Sequence, residues 1–441
     1  MRSFLSRMRA SRLGALAIRS IACLLIGVAA FGAVQQTQVN NRNFDVFDEG
    51  AHFDYVMKLS DHTIPRWGDR YSQETVRIAD CLGNSPDGSA DTKCAIRTRD
   101  PRNYAPYGYS YEAQQPPLGY LVYLPGAIIG QSLAPGPYLN FVRDTGGTIL
   151  IGIAVILLVL LSSQLRLGFW RTFTLSGIVL LAPISVHALS FVNNDASTLI
   201  ISIGYVCALL SVGRLRSRWA IAIGLAFGLL LGLTKAYLVL LPVGAVIALG
   251  FPALLRIWRK SSTFGKEIRT PHMLFALSAS TMSAITAGAF TFWQMKRAIE
   301  PSGVVLESLL GFQDKVTRVH FNTLVQSFDN LANHWLGATN GIIHTQSVFF
   351  ALNTLLLLAI GLSFGRNKPV GTSLMLTSRS LIANWFITIA LFSVAWPTLL
   401  FVQGHFNFSA EVRYGLLALP LAATAISVGI SKKQVGSNVR S

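Results

Sequence analysis

Asp48, Glu49 and His52 lie within FDEGAHFDYVMKL, residues 47–59, at the start of what reads as a short helix. Carboxylates in that place suit two kinds of work, capping the helix or accepting a proton from a hydroxyl. As a cap, Asp48 accepts backbone N–H bonds from the helix that carries Tyr55, Val56 and Leu59, and Glu49 adds a contact with the helix dipole. Adjacent helical residues point about 100° apart, so the two carboxylates cannot readily address one atom. Different roles are expected of them.

Further polar outliers lie far away in the chain. They are YGYSYEAQQPPLGY (residues 107–120), Asn193-Asn194-Asp195, Lys235 at the end of GLTK, and QGHFNFSAEVRYG (residues 403–415). Sugar transfer from a lipid-linked phosphate needs a base for the acceptor hydroxyl, a cation for the departing phosphate, and aromatic or amide groups to hold a sugar. A carboxylate supplies the first, Lys235 or Arg413 the second, and Tyr107, Tyr109, Tyr111, Gln114 and Gln115 the third. The substrate-binding set read here is His52, Tyr111, Glu112, Gln114, Gln115, Asn194, Asp195, Lys235, Arg413 and Tyr414.

Each element also has a plainer role. Asn194-Asp195 can cap the span that begins near Ala196. Lys235 can snorkel, Arg413 can anchor the last helix at the headgroups, and Pro116-Pro117 can break and restart the chain. No histidine pair has metalloprotease spacing, and no metal role is assigned to His320, His334 or His344. A divalent cation on Asp48, Asp195 or Glu112 is compatible with their hard oxygens but is not called for.

Composition shows what must position these groups. The 441 residues are 51% hydrophobic and 13% charged, with a mean hydropathy of +0.47. Apolar runs recur near 13–34, 146–163, 172–190, 196–213, 218–233, 236–255, 273–293, 346–364, 381–402 and 412–430. The fold expected is therefore all-α, a polytopic transmembrane helix bundle of about ten spans, in a single membrane domain over 1–441. There is no repeat of fixed period and no low-complexity tract. The net charge of +17 sits mostly in short loops and reports orientation, not a nucleic-acid partner.

The segment 118–133 is short and interrupted by Pro125 and Gly126. If it does not cross, the basic loops, among them Arg166 and Arg171, and Arg214, Arg216 and Arg218, all fall inside. It is read as a juxtamembrane helix in a long first outer loop, 35–144, with a second outer loop at 294–346. Every polar outlier then falls at the outer face. The chain is expected in the cell membrane as a multi-pass protein with cytoplasmic N- and C-termini. The first apolar run, interrupted by Arg19, is read as a retained helix, not a signal peptide. Cys81 and Cys94, both outside, are expected to pair, whereas Cys23 and Cys207 lie in apolar spans.

FDEGAHFDY, YEAQQPPLGYL, NNDAST, LTKAYLVLLP and EVRYGLLALP, in that order, resemble the motifs of integral-membrane glycosyltransferases of the GT-C architecture, in particular a small bacterial branch. The resemblance runs from Phe47 to Pro420. Gly50 stands where that branch often has proline, and Gly119 where an aromatic is common. The resemblance implies a polyprenyl-phosphate sugar donor, a glycan, lipid or protein acceptor at the non-cytoplasmic side of the lipid bilayer, and inversion at the anomeric carbon. It implies an acidic base in the first outer loop, Asp48 first and Glu49 second. Two other classes compete: a multi-pass transporter, expected to show broken helices and charges near mid-membrane, and a non-catalytic envelope assembly protein.

Overall fold

The structure is a computed structural model that describes residues 12–44, 49–82, 108–258, 270–299, 369–370, 373–391, 417 and 419–429. It is nearly all helical. In chain order the helices are α1 (Arg12–Asn40), α2 (Glu49–Ser60), α3 (Gln73–Cys81), α4 (Leu124–Ile129), α5 (Pro135–Gln164), α6 (Phe169–Leu180), α7 (Pro183–Ser190), α8 (Asp195–Ser211), α9 (Ser217–Thr234), α10 (Leu240–Trp258), α11 (Pro271–Arg297), α12 (Ser378–Ala390) and α13 (Leu419–Gly429). Among the described residues the sheet structure is one antiparallel ribbon of β1 (Pro369–Val370) and β2 (Ser373–Thr377).

Five helices, namely α1, α5, α8 (continued by one 3₁₀ turn to Arg214), α9 and α11, are long and apolar enough to cross a bilayer. The chain is thus a membrane-associated helical protein. The run at 172–190 is a bent pair, α6 and α7, meeting at 58°. Pro183 at the start of α7 is the cause, because it has no N–H and its ring clashes with the preceding turn, so α6 cannot run on through it. The runs at 236–255 and 412–430 hold shorter apolar helices, Ala236–Gly250 and Leu419–Val428. The run at 381–402 is described only in part, and that at 346–364 lies outside the described residues. The count of ten is therefore not reached among the described residues.

Helices outlast the apolar runs that announce them. The helix α1 continues to Asn40, and α5 begins at Pro135, well before the apolar run at 146. Proline fits the first helical position because its missing N–H is unbonded there anyway. Segment 118–133 is a string of short turns: a 3₁₀ stretch Pro117–Tyr123, then α4, then a 3₁₀ turn Gly130–Ser132. None of the three by itself is long enough to cross.

The closest packing in the bundle is between α9 and α11. Gly224, Gly228 and Gly232 recur every fourth residue and so share one face of α9. A Cβ on Gly228 would stand 2.6 Å from the Ala279 carbonyl oxygen, and one on Gly232 2.8 Å from that of Ser283. Bare backbone lets the two helices approach where lipid supplies no hydrophobic driving force. The contacts set the two helices parallel, with Gly232 against Ser283 and Ala287, so both end toward the same end of the bundle and α11 runs on past Thr234 to Gln294 and Arg297.

Contacts define the two ends. At one, Arg19 Nε donates to the Leu167 carbonyl (2.8 Å) and Gln164 Nε2 to Ser211 Oγ (2.7 Å). Arg166, Arg171, Arg214, Arg216 and Arg218 belong to that end. At the other, Gln35 Nε2 donates to Asp144 Oδ1 (2.6 Å), Gln38 Nε2 to the Ser190 carbonyl (3.0 Å), and Gln294 Nε2 to the carbonyls of Pro65 (3.0 Å) and Ala113 (2.8 Å). Cys81 is disulfide-bonded while Cys23 and Cys207 are free thiols. The described half of the expected bridge is thus in place, and Cys94 lies outside the described residues.

Candidate active site

The described polar outliers gather at the end of the bundle opposite the basic loops, in three buried clusters. The first is anchored by Glu49, the opening residue of α2. Its carboxylate meets Arg143 of α5 face to face. Arg143 Nε donates to Oε1 at 2.7 Å, a guanidinium Nη2 donates to Oε2, and the Val192 amide adds a bond of 2.9 Å to Oε1. Arg143 is fully buried, and its remaining donors go to the carbonyls of Asn41 (2.9 Å) and Asn43 (2.7 Å) and to Asn140 Oδ1 (3.3 Å). One guanidinium thus fastens the end of α1, the start of α2 and α5 together. A buried carboxylate held by a paired guanidinium and a backbone amide is poorly placed to take a proton from a substrate. Asp48, the residue before it, lies outside the described residues.

The second cluster is one helical turn further along α2. His52 Nδ1 lies 2.8 Å from Tyr120 Oη, which donates to Glu112 Oε2 at 2.9 Å, and Nδ1 itself is 3.5 Å from that oxygen. The phenol has one hydrogen and spends it on Glu112, so Nδ1–H is the donor toward Oη. Tyr55 stacks on Tyr120 with ring centroids 4.1 Å apart and donates to the Gln115 carbonyl at 2.9 Å. Burial, reinforced by the Glu112 charge, pushes the Tyr120 phenol well above its ordinary range, and the same two causes raise Tyr55. Both stay protonated donors.

The third cluster joins α8 to the end of α9. The helix α9 stops at Thr234, and Lys235, in extended backbone, turns inward. Its Nζ donates to Asn194 Oδ1 (2.7 Å) and Asp195 Oδ1 (2.6 Å), and Tyr237 Oη donates to the same Asp195 oxygen (3.0 Å). Asn194 and Asp195 are available for this because neither side chain caps α8. Asn193 does so, its Oδ1 accepting from the amides of Asp195 (2.9 Å) and Ala196 (3.0 Å). Lys235 is 5% exposed and does not snorkel. Asn194 Nδ2 is buried and has no hydrogen-bond partner among the described residues.

Gly119 brings the second and third clusters together. Its carbonyl accepts from Ser197 Oγ at 2.8 Å, and a Cβ there would stand 3.0 Å from that of Asn194. A larger side chain in place of Gly119 would push the 117–123 segment off α8. With glycine, Tyr120 comes close enough to Asp195 for that charge also to raise its phenol.

The remaining expected residues are less engaged. Tyr111 and Gln115 are half-buried and Gln114 is exposed, all three beside Glu112 on the same turn. Arg70 lies over the Tyr109 ring at 3.3 Å and donates to its hydroxyl. Tyr107, Arg413 and Tyr414 lie outside the described residues. Among the described residues, no group of three or more His, Cys, Asp or Glu is arranged to hold a metal ion. Comparison of the chain with family models, with characterised proteins and with solved structures finds no match.

Arg143, Tyr120, Asn193 and Tyr237 take site roles that sequence reasoning did not assign, Tyr120 and Asn193 being read there only as members of the outlier stretches 107–120 and 193–195. Arg143 had a legible signal. Pro135 announces a helix start within the stretch read as outer loop, which would put Arg143, two turns later, on a helix and not in open loop. The other three carry no signal of their own, since their roles depend on which segments meet.

Proposed function

We propose that the chain is a multi-pass membrane glycosyltransferase, of about ten crossings, that moves a sugar from a polyprenyl-phosphate donor to an acceptor at the clustered end of the bundle. One observation carries this reading. Segments around residues 49–55, 112–120, 193–197 and 235–237, far apart in the chain, meet through direct hydrogen bonds at a single end. Buried polar groups at such a place are costly unless function retains them. Four of the five motifs that resemble the GT-C enzymes supply these same segments, and the fifth, residues 411–420, lies mostly outside the described residues. The basic loops at the opposite end support a cytoplasmic location for that end.

In this reaction Asp48 takes the acceptor hydroxyl proton as the acceptor oxygen forms its bond to the anomeric carbon. The bond from that carbon to the phosphate oxygen breaks on the opposite side, and the phosphate leaves with the electron pair. Glu49 and Lys235, each already in an ion pair, act as positioning residues. Glu49 holds the start of α2 against Arg143, directly after Asp48 in the sequence. Lys235 holds Asn194 so that its buried Nδ2 is a donor for a sugar hydroxyl, and Arg413 is left as the phosphate's cation. Glu112, Tyr120 and His52 form a chain that fixes α2 against the loop carrying Tyr111, Gln114 and Gln115. The experiment is lipid and glycan profiling of a deletion strain. An accumulated polyprenyl-phosphate sugar is expected, and an unchanged lipid-linked pool would refute the transfer.

One feature favours a transporter instead, the break between α6 and α7 just before the Asn193–Asp195 turn, because broken helices beside buried charges also build transport sites. Proteoliposomes separate the two. Solute or proton flux without donor turnover supports transport.

A further inference from the structure

Beside the three clusters lies a cleft of about 490 Å³, and its lining is strongly basic. Lys58, Arg66, Arg70 and Arg297 face it, against Asp69 as the one carboxylate of the lining. Each cation whose contacts matter here is held in place. Lys58 Nζ donates to the Arg70 carbonyl at 2.7 Å and pairs with Asp54 at 2.8 Å. Arg66 lies 3.4 Å from Asp69. Arg297 donates to the Ile64 carbonyl at 3.1 Å and lies over the Trp293 ring at 4.0 Å. Asp54 pairs with Lys58 and Asp69 with Arg66, whereas the contacts of Arg297 among the described residues are a carbonyl and a ring, which leave its charge facing the cleft. The cleft is therefore built to receive an anion.

The helix end that carries Arg297 indicates which anion. Phe292, Trp293, Met295 and Ile299, at the end of the long apolar helix α11, are all exposed. Large apolar and aromatic side chains interleaved with Lys296 and Arg297 at the end of a spanning helix form the pattern of a bilayer headgroup layer. Phosphate is the anion of that layer. Lys58 is six residues beyond His52 on α2, about 9 Å along the axis at the α-helical rise, so the cleft stands beside the clusters and not within them.

We infer that the cleft lined by Lys58, Arg66, Arg70 and Arg297 binds a phosphate group, that of a membrane phospholipid or a soluble phosphate. The inference does not rest on the glycosyl-transfer reading.

The test uses the full-length protein in neutral detergent micelles. Native mass spectrometry counts bound short-chain phosphatidic acid against phosphatidylcholine, and a separate titration uses inorganic phosphate. Arg66→Gln alters an exposed side chain that folding does not need, and Arg66→Gln with Arg297→Gln removes two of the four cations. Retention of phosphatidic acid over phosphatidylcholine assigns a lipid headgroup, and binding of inorganic phosphate without lipid preference assigns a soluble phosphate. In either case the double variant should bind about tenfold more weakly or worse, since contacts to charged groups are the strong ones. The single variant should lie between it and the unaltered protein. Absence of both binding events in the unaltered protein overturns the inference, as does equal binding by the unaltered protein and a double variant shown to be folded by thermal denaturation.

Discussion

Replacing Glu49 with Gln should destabilise the protein severely, although the two side chains have the same size. Glu49 and Arg143 are both shut off from water, and the change leaves a buried guanidinium without its counter-charge. Removing one partner of a buried pair costs about 3–5 kcal/mol. Arg143→Met should be comparable, because it also strands the carbonyls of Asn41 and Asn43 that the guanidinium serves. The double variant should lose less than the sum, with a coupling of roughly 2 kcal/mol or more, since neither charge is then left alone. The comparison is Glu74→Ala, which breaks the half-buried, solvent-accessible pair with Arg77 and should cost about 1 kcal/mol. Reversible unfolding in mixed micelles, followed by circular dichroism, measures all four. If Glu49→Gln falls no further than Glu74→Ala, or if the two single changes simply add, the reasoning about this pair is wrong.

Three other changes test the packing around the clusters. Asn193→Ala should cost about 1 kcal/mol or somewhat more through loss of the cap on α8, and Asn193→Asp should cost no less although it keeps the accepting oxygen, because its second oxygen replaces the Nδ2 that donates to the buried carbonyls of Ala188 and Phe191; the same unfolding assay reads both. Gly228→Ala should destabilise by about 1–3 kcal/mol, because its Cβ would meet the Ala279 carbonyl and force α9 from α11, whereas Gly152→Ala, with nothing within 4 Å, should cause no loss. The raised phenols of Tyr120 and Tyr55 keep their protons when the unfolded chain would release them, so the folded state binds more protons at high pH and stability falls there. Stability should therefore be fully present below about pH 10, the unperturbed tyrosine value, and decline above it, and Tyr120→Phe should flatten that decline.

Much of the architecture was legible because hydropathy and turn residues act locally. The five long apolar helices and the short segment at 118–133 follow from run length and from Pro125 and Gly126. The break in the run at 172–190 was missed although Pro183 stands within it, since the summed hydropathy of the run hides a single missing amide. The convergence at one end was legible through the loop charges, which fix which helix ends point the same way. The partners were not. Asn194 and Asp195 read as a cap as readily as a site, and only the side chain of Asn193, folded back onto the first amides of α8, frees them for Lys235. Glu49 read as a second candidate base, because nothing in FDEGAHFDY shows that a cation nearly a hundred residues later closes over it.

The central claim is that the clustered end transfers sugar with Asp48 as its base, and purified Asp48→Asn protein tests it most directly. Asn is as good a helix cap as Asp but accepts no proton, so expression and thermal stability should match the unaltered protein. Transfer from a polyprenyl-phosphate sugar to acceptor, measured in lipid nanodiscs, should fall about 100-fold to 10,000-fold, the usual worth of a general base. Turnover by Asp48→Asn near that of the unaltered protein would contradict the claim, as would an unaltered protein that transfers no sugar from any polyprenyl-phosphate donor supplied.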